Sequence, residues 1–124
     1  MVKKHNYEQQ EQIAVANYIR IFYPKLLWTI SISGINLNII KGSIAKNMGY
    51  SKGTPDISVY FPTVKYHGLF IELKKSKIYG SASLTPEQIT WIDTLNKLGY
   101  YAVVCYGFKE AKNVIDNYIK GVLI

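Results

Sequence analysis

Residues 53 to 75 read Gly53-Thr-Pro-Asp56-Ile-Ser-Val-Tyr-Phe61-Pro-Thr-Val-Lys65-Tyr-His-Gly68-Leu-Phe-Ile-Glu72-Leu-Lys74-Lys75, and the alternation at the end of this stretch decides the fold. The run from Leu69 to Lys74 has strand composition, and a period of two places Glu72 and Lys74 on one face with Ile71 and Leu73 on the other. A carboxylate and an ammonium on one strand face call for another charged group nearby, and Asp56 is the candidate. It follows Pro55, which cannot donate to a sheet ladder and so marks the start or edge of a strand. Asp56 is therefore expected to open a strand over Ile57–Phe61. That strand pairs as a hairpin, across the turn Pro62–Gly68, with the one carrying Glu72.

The residue types suggest a chemistry. Magnesium is a hard ion held by one or two carboxylates, with waters and phosphate oxygens completing its shell. Asp56 and Glu72 can hold such an ion, and the backbone carbonyl of Leu73 can add a neutral ligand. Lys74 can orient the attacking water or take its proton. The plainer alternative is a turn aspartate and a solvated Glu-x-Lys face, both common in basic proteins.

Further along the chain stand Leu84-Thr-Pro-Glu-Gln88-Ile-Thr-Trp91, then Gly99-Tyr-Tyr-Ala-Val-Val-Cys-Tyr-Gly107, then Glu110-Ala111. Together with Gly53-Thr-Pro-Asp56 and Gly68-Leu-Phe-Ile-Glu72-Leu-Lys74, these elements resemble the PD-(D/E)XK nucleases. Within that superfamily they are most similar to the virus-type replication-repair branch, VRR-NUC, in its standalone single-domain form. The resemblance implies an α/β fold, a restriction-endonuclease-like αβββαβ core with a mixed central sheet flanked by helices. It also implies a dimeric enzyme acting on branched DNA, including four-way junctions, with magnesium as cofactor and manganese as a substitute. A viral or mobile-element source fits the resemblance.

Length and composition agree with one nuclease domain over residues 1 to 124. The net charge of +7 suits a polyanionic partner. All but one of the 15 basic residues are lysine, which favours loose phosphate attraction over base reading by arginine forks. Cys105 is the only cysteine and lies in an apolar run, so it reads as a reduced core residue. No stretch approaches a membrane span and no signal peptide is evident, so a soluble, cytoplasmic protein with no membrane partner is expected.

The remaining pattern predicts a first helix from Tyr7 to about Phe22, with apolar positions at Ile13, Ala14, Ala16, Tyr18 and Ile19. A strand over Leu26–Ser31 and a short helix over Ser43–Met48 ending at Gly49 follow. Thr85, Pro86 and Gln88 supply an N-cap, a proline at the first helical position and the far half of a capping box. That helix runs to about Leu98, Tyr100–Tyr106 forms a buried strand, and Phe108–Ile119 a last helix.

Several assignments remain open from sequence. In the resembling family a helix glutamate approaches the metal with a glutamine one turn later, and Glu8 with Gln12 matches that pattern. Glu11 is a rival register, and acids near a helix start also simply complement its dipole. Gln88 is either a capping residue or, by the resemblance, a contact to metal-bound water or phosphate. Trp91 reads as core. Lys41, Lys46, Lys52, Lys75 and Lys77 crowd the acids in sequence, and Lys46, Lys52 and Lys75 are assigned to DNA contact, the alternative being solvated loops. Ser33-Gly34-Ile35-Asn36 departs from the family's glycine loop. His5 and His67 lack zinc-ligand spacing, and Tyr23, Tyr60, Tyr66 and Tyr79 cannot be sorted.

The reading is a divalent-metal-dependent DNA endonuclease on branched DNA. The alternatives are a flap, non-specific or restriction-type nuclease, an inactive basic DNA-binding module, and a purely structural or protein-binding domain.

Overall fold

The computed structural model describes residues 6–31 and 42–121. His5, the Ser33–Asn36 loop and Lys41 lie outside the described residues. The elements follow the order α1 (Tyr7–Phe22), β1 (Trp28–Ile30), α2 (Gly42–Asn47), β2 (Ile57–Val59), β3 (Leu69–Lys74), α3 (Pro86–Lys97), β4 (Tyr101–Tyr106) and α4 (Phe108–Lys120). A 3-10 turn over Lys77–Tyr79, not anticipated from the sequence, leads away from β3.

The sheet order is β1-β2-β3-β4, antiparallel at the first two pairings and parallel at the third. This is the mixed α/β sheet expected. The crossover through α3 accounts for the parallel pair, because parallel neighbours need a long connection. The β2–β3 hairpin forms with Ile57 opposite Ile71. Both early strands are shorter than expected, each at three residues.

Strand β3 is covered on both faces. Leu69, Ile71 and Leu73 join Ile57, Val59 and Cys105 in a core roofed by Val15 and Ile19 of α1 and by Ala111, Ile115 and Tyr118 of α4. The buried stripe of α1 is centred on Val15 and Ile19, whereas Ile13, expected on the apolar face, is 52% exposed. Helical spacing explains this: Glu8, Gln12, Val15 and Ile19 follow i, i+4, i+7 and i+11, and Ile13 falls off that face. The stripe that is apolar over the core thus turns polar at its N-terminal end. Cys105 is 1% exposed, and burial pushes its thiol up to about 12.

Candidate active site

Strand pairing builds the site. One step beyond the Ile57–Ile71 pair the ladder brings Asp56 opposite Glu72. Asp56 Oδ2 accepts from the Leu73 N–H at 2.7 Å, so the aspartate side chain takes the place of a missing strand partner. Its backbone carbonyl accepts from Ser31 N–H at 2.8 Å, tying it to the end of β1. Directly opposed residues of an antiparallel pair share a sheet face, which sets the Asp56 and Glu72 carboxyls side by side.

Glu72 is 3% exposed and Lys74 8%, two charged side chains inside the fold. Burial, the hydrogen bond to Asp56 and the Asp56 charge hold the Glu72 carboxyl far above the usual carboxylate range; Lys74 pulls it down and Glu8 adds to the rise. With a carboxyl for a neighbour and little water to solvate its charge, Glu72 favours its protonated form.

Lys74 Nζ donates to Gln88 Oε1 at 3.2 Å. The same oxygen accepts from Thr85 N–H at 2.9 Å, and Thr85 Oγ1 accepts from Gln88 N–H at 3.2 Å, which closes the capping box of α3. Gln88 therefore caps α3, one of the roles open to it, and the same oxygen holds Lys74, a contact not expected from the sequence. Gly53 locks the other side. Its φ is +90°, and a Cβ there would lie 2.5 Å from the Glu87 carbonyl carbon, so only glycine lets the Gly-Thr-Pro-Asp loop press on the first turn of α3.

A cleft of about 320 Å³ opens at Asp56, lined also by Glu8 and Gln12 of α1 together with Ser31 and Leu73. Gln12 Nε2 is buried with no hydrogen-bond partner among the described residues. Glu8 is exposed at the rim, and among the described residues no three acidic, histidine or cysteine side chains form a metal-holding group. The close pair is Asp56 with Glu72. Glu11, the rival to Glu8, is turned away: its carboxylate accepts from Phe108 N–H and caps α4, whose N-cap Gly107 offers no side chain. Only the fold reveals this role, because the partners are 97 residues apart.

Lys46 and Lys52 are exposed, on α2 and on the loop before Gly53. Lys75 is half-buried, its ammonium 3.5 Å from where a side chain at Gly80 would begin. Trp91 is half-buried on α3. The ring of His67 sits 2.8 Å from where a Cβ at Gly99 would lie and edge-on to Tyr100, a packing role.

The profile of the VRR-NUC domain matches residues 29–109. The chain belongs to the VRR-NUC family. A solved structure described as a VRR-NUC domain protein is 32% identical, superposes with a TM-score of 0.77, and is matched over 95% of this chain and 92% of that one. A second, described as a VRR-NUC domain, is 20% identical with a TM-score of 0.61, covering 92% of this chain and 99% of that one, and supports the fold alone. No curated protein matches. VRR-NUC membership makes this chain one of a nuclease family acting on DNA. Among the described residues no helix is long and apolar enough to cross a membrane.

Proposed function

We propose that this VRR-NUC chain is a divalent-metal-dependent endonuclease that hydrolyses phosphodiester bonds in branched DNA and works as a homodimer. The observation that carries the reading is Asp56, lining a cleft, set opposite the buried Glu72, with the buried Lys74 two residues along the same strand.

The donor set fits a hard cation. It is all oxygen, two carboxylates and the carbonyl of Leu73, which lines the same cleft as Asp56. Magnesium, or manganese in its place, would supply an acidified water and neutralise charge building on the phosphate. Asp56, fixed by the Leu73 N–H, and Glu72 would hold the ion. Glu8 adds negative charge from the opposite wall of the cleft. Lys74, held by Gln88, orients the attacking water or accepts its proton. The Gln12 amide N–H, lacking an acceptor among the described residues, is available to a phosphate oxygen. Lys46, Lys52 and Lys75 attract the DNA backbone without reading bases.

The branched substrate and the homodimer follow from the resemblance to standalone family members and from symmetry, since resolving a junction requires two matched cuts and hence two sites. The test is cleavage of labelled four-way junction, flap, single-stranded and linear duplex DNA with magnesium, manganese or EDTA. Metal-dependent cutting by the wild type, lost in Asp56→Ala and in Lys74→Ala, is expected, with the junction preferred. Binding without cutting under either metal would overturn the catalytic reading in favour of a binding module.

A further inference from the structure

Helix α4 begins without a local cap. Its N-cap is Gly107, whose φ of +92° favours glycine and where a Cβ would lie 3.0 Å from the Ser76 side chain, so a capping side chain is excluded at that position. The cap comes instead from far away in sequence. The Glu11 carboxylate of α1 accepts from the Phe108 N–H, at the positive end of the α4 dipole. A contact that is ordinarily local has become a tie between two helices.

Two observations place this tie beside the cleft. The Gly107 N–H donates to the Lys74 carbonyl at 2.8 Å, and Lys74 pairs with Tyr106 in the parallel ladder, so the start of α4 is fixed to the end of the strand that carries Glu72 and Lys74. On α1, Glu11 is the neighbour of Gln12 and lies within one turn of Glu8, and both of these line the cleft at Asp56. Further along the same seam Tyr18 meets the Phe108 ring edge-on, centroids 5.8 Å apart, and donates to Asp116. Those contacts fasten the C-terminal half of α1 to α4, and Glu11 fastens the half that lines the cleft.

Gln12 gives that fastening a use. Its Nε2 is buried with no acceptor among the described residues. A donor kept in that condition serves a substrate only from a fixed place, because a shift of about 1 Å in a group that orients the reactants can cost on the order of 10²-fold in rate.

We propose that Glu11 is a positioning residue: by bonding to the Phe108 N–H it fixes the N-terminal half of α1 to the Lys74 end of β3, and so sets the Gln12 amide where a substrate phosphate oxygen is received. Glu11 acts through Gln12 and not on the DNA itself. The proposal rests on the nuclease reading and deepens it by naming what holds the phosphate donor in place.

The experiment is a double-mutant cycle. It is read by single-turnover cleavage, with magnesium, of whichever labelled DNA the wild type cuts fastest, by affinity for the same DNA in EDTA, and by urea denaturation. The chains are wild type, Glu11→Ala, Glu11→Gln, Gln12→Ala and Glu11→Ala combined with Gln12→Ala. Glu11→Ala is expected to slow cleavage about 10- to 100-fold and to weaken binding about 2- to 10-fold. In the Gln12→Ala background the same change should alter either by less than about twofold, while lowering the urea midpoint as far as it does in the wild-type background. Glu11→Gln keeps an acceptor for Phe108 and should recover most of the cleavage. Glu11→Asp, shortened by one methylene, takes the place of Glu11→Ala in the cycle if the alanine chain does not fold. Slowing of equal size in both backgrounds, no slowing in Glu11→Ala, or Gln12→Ala cutting as fast as wild type would overturn the positioning role alone. A wild type that cuts none of the labelled DNAs would overturn the nuclease reading and the positioning role with it.

Discussion

Two carboxylates withdrawn from bulk water meet opposite fates in this molecule. Asp116 on α4 receives hydrogen bonds from the Tyr18 and Tyr23 hydroxyls and from Lys112 Nζ. Burial would raise its pKa, yet these donors outweigh burial and hold its carboxyl below the usual carboxylate range. Glu72, buried on β3, meets another carboxyl instead and is driven the other way. The chemistry of the side chain is nearly the same, and the neighbours decide. A satisfied acid ties helices together. An acid opposed by its own kind is an incomplete assembly, and such groups mark places where something else belongs.

The contrast can be broken from the Glu72 side first. Lys74→Ala and Asp56→Ala are expected to lower metal-dependent cleavage by about 10²- to 10⁴-fold. Glu72→Gln should also lose cleavage, yet match or exceed wild type in urea denaturation near neutral pH, because it removes the cost of burying a carboxyl that ionises freely in the unfolded chain. A matching loss of stability in Glu72→Gln would show that the acids support the fold after all.

On the Asp116 side the expectation reverses. Asp116→Ala leaves two tyrosine hydroxyls without their acceptor and should cost roughly 1–3 kcal/mol in urea denaturation, with cleavage retained well below the melting point. Lys112 contributes little to this, being partly exposed.

Gln88 joins the two regimes, since one oxygen serves both the helix cap and Lys74. Gln88→Ala should cost about 1 kcal/mol of stability and also slow cleavage, while Gln88→Glu, which keeps an acceptor there, recovers most of both. A stability loss with cleavage unchanged would confine Gln88 to capping.

The smallest effect concerns pH. A carboxyl whose folded pKa lies below its unfolded value stabilises the fold above the unfolded pKa, and that contribution fades as pH falls through the folded pKa. Because Asp116 is lowered, the stability gap between wild type and Asp116→Asn should be full near pH 6 and shrink below about pH 4. A gap that widens in acid would reverse the assignment.

What could be read from sequence was local. The hairpin placing Asp56 opposite Glu72 follows from a proline, a two-residue period and a turn, all within 23 residues of chain. The α3 cap follows from a fixed three-residue offset. Contacts made across the fold were not legible. Glu8 and Glu11 lie on one helical turn, and only the amide of Phe108 separates their roles. The cluster around Asp116 joins residues 93 and 98 positions apart in sequence, so nothing near Tyr23 or Tyr18 announced it. Tyrosine is equally suited to a core, a hydrogen-bond network and a ring stack; this chain uses Tyr66, Tyr23 and Tyr79, the last stacked on Tyr7, in those three ways.

The burial of Cys105 has a practical consequence. The chain has a single cysteine, and its thiol, 1% exposed and pushed up to about 12, is almost wholly unreactive toward maleimides near neutral pH. The natural sequence therefore already provides a silent background for site-directed labelling. One cysteine introduced on the exposed side of α3 would carry a fluorophore or spin label alone, and a distance measured between two such labels would test directly whether two copies pair.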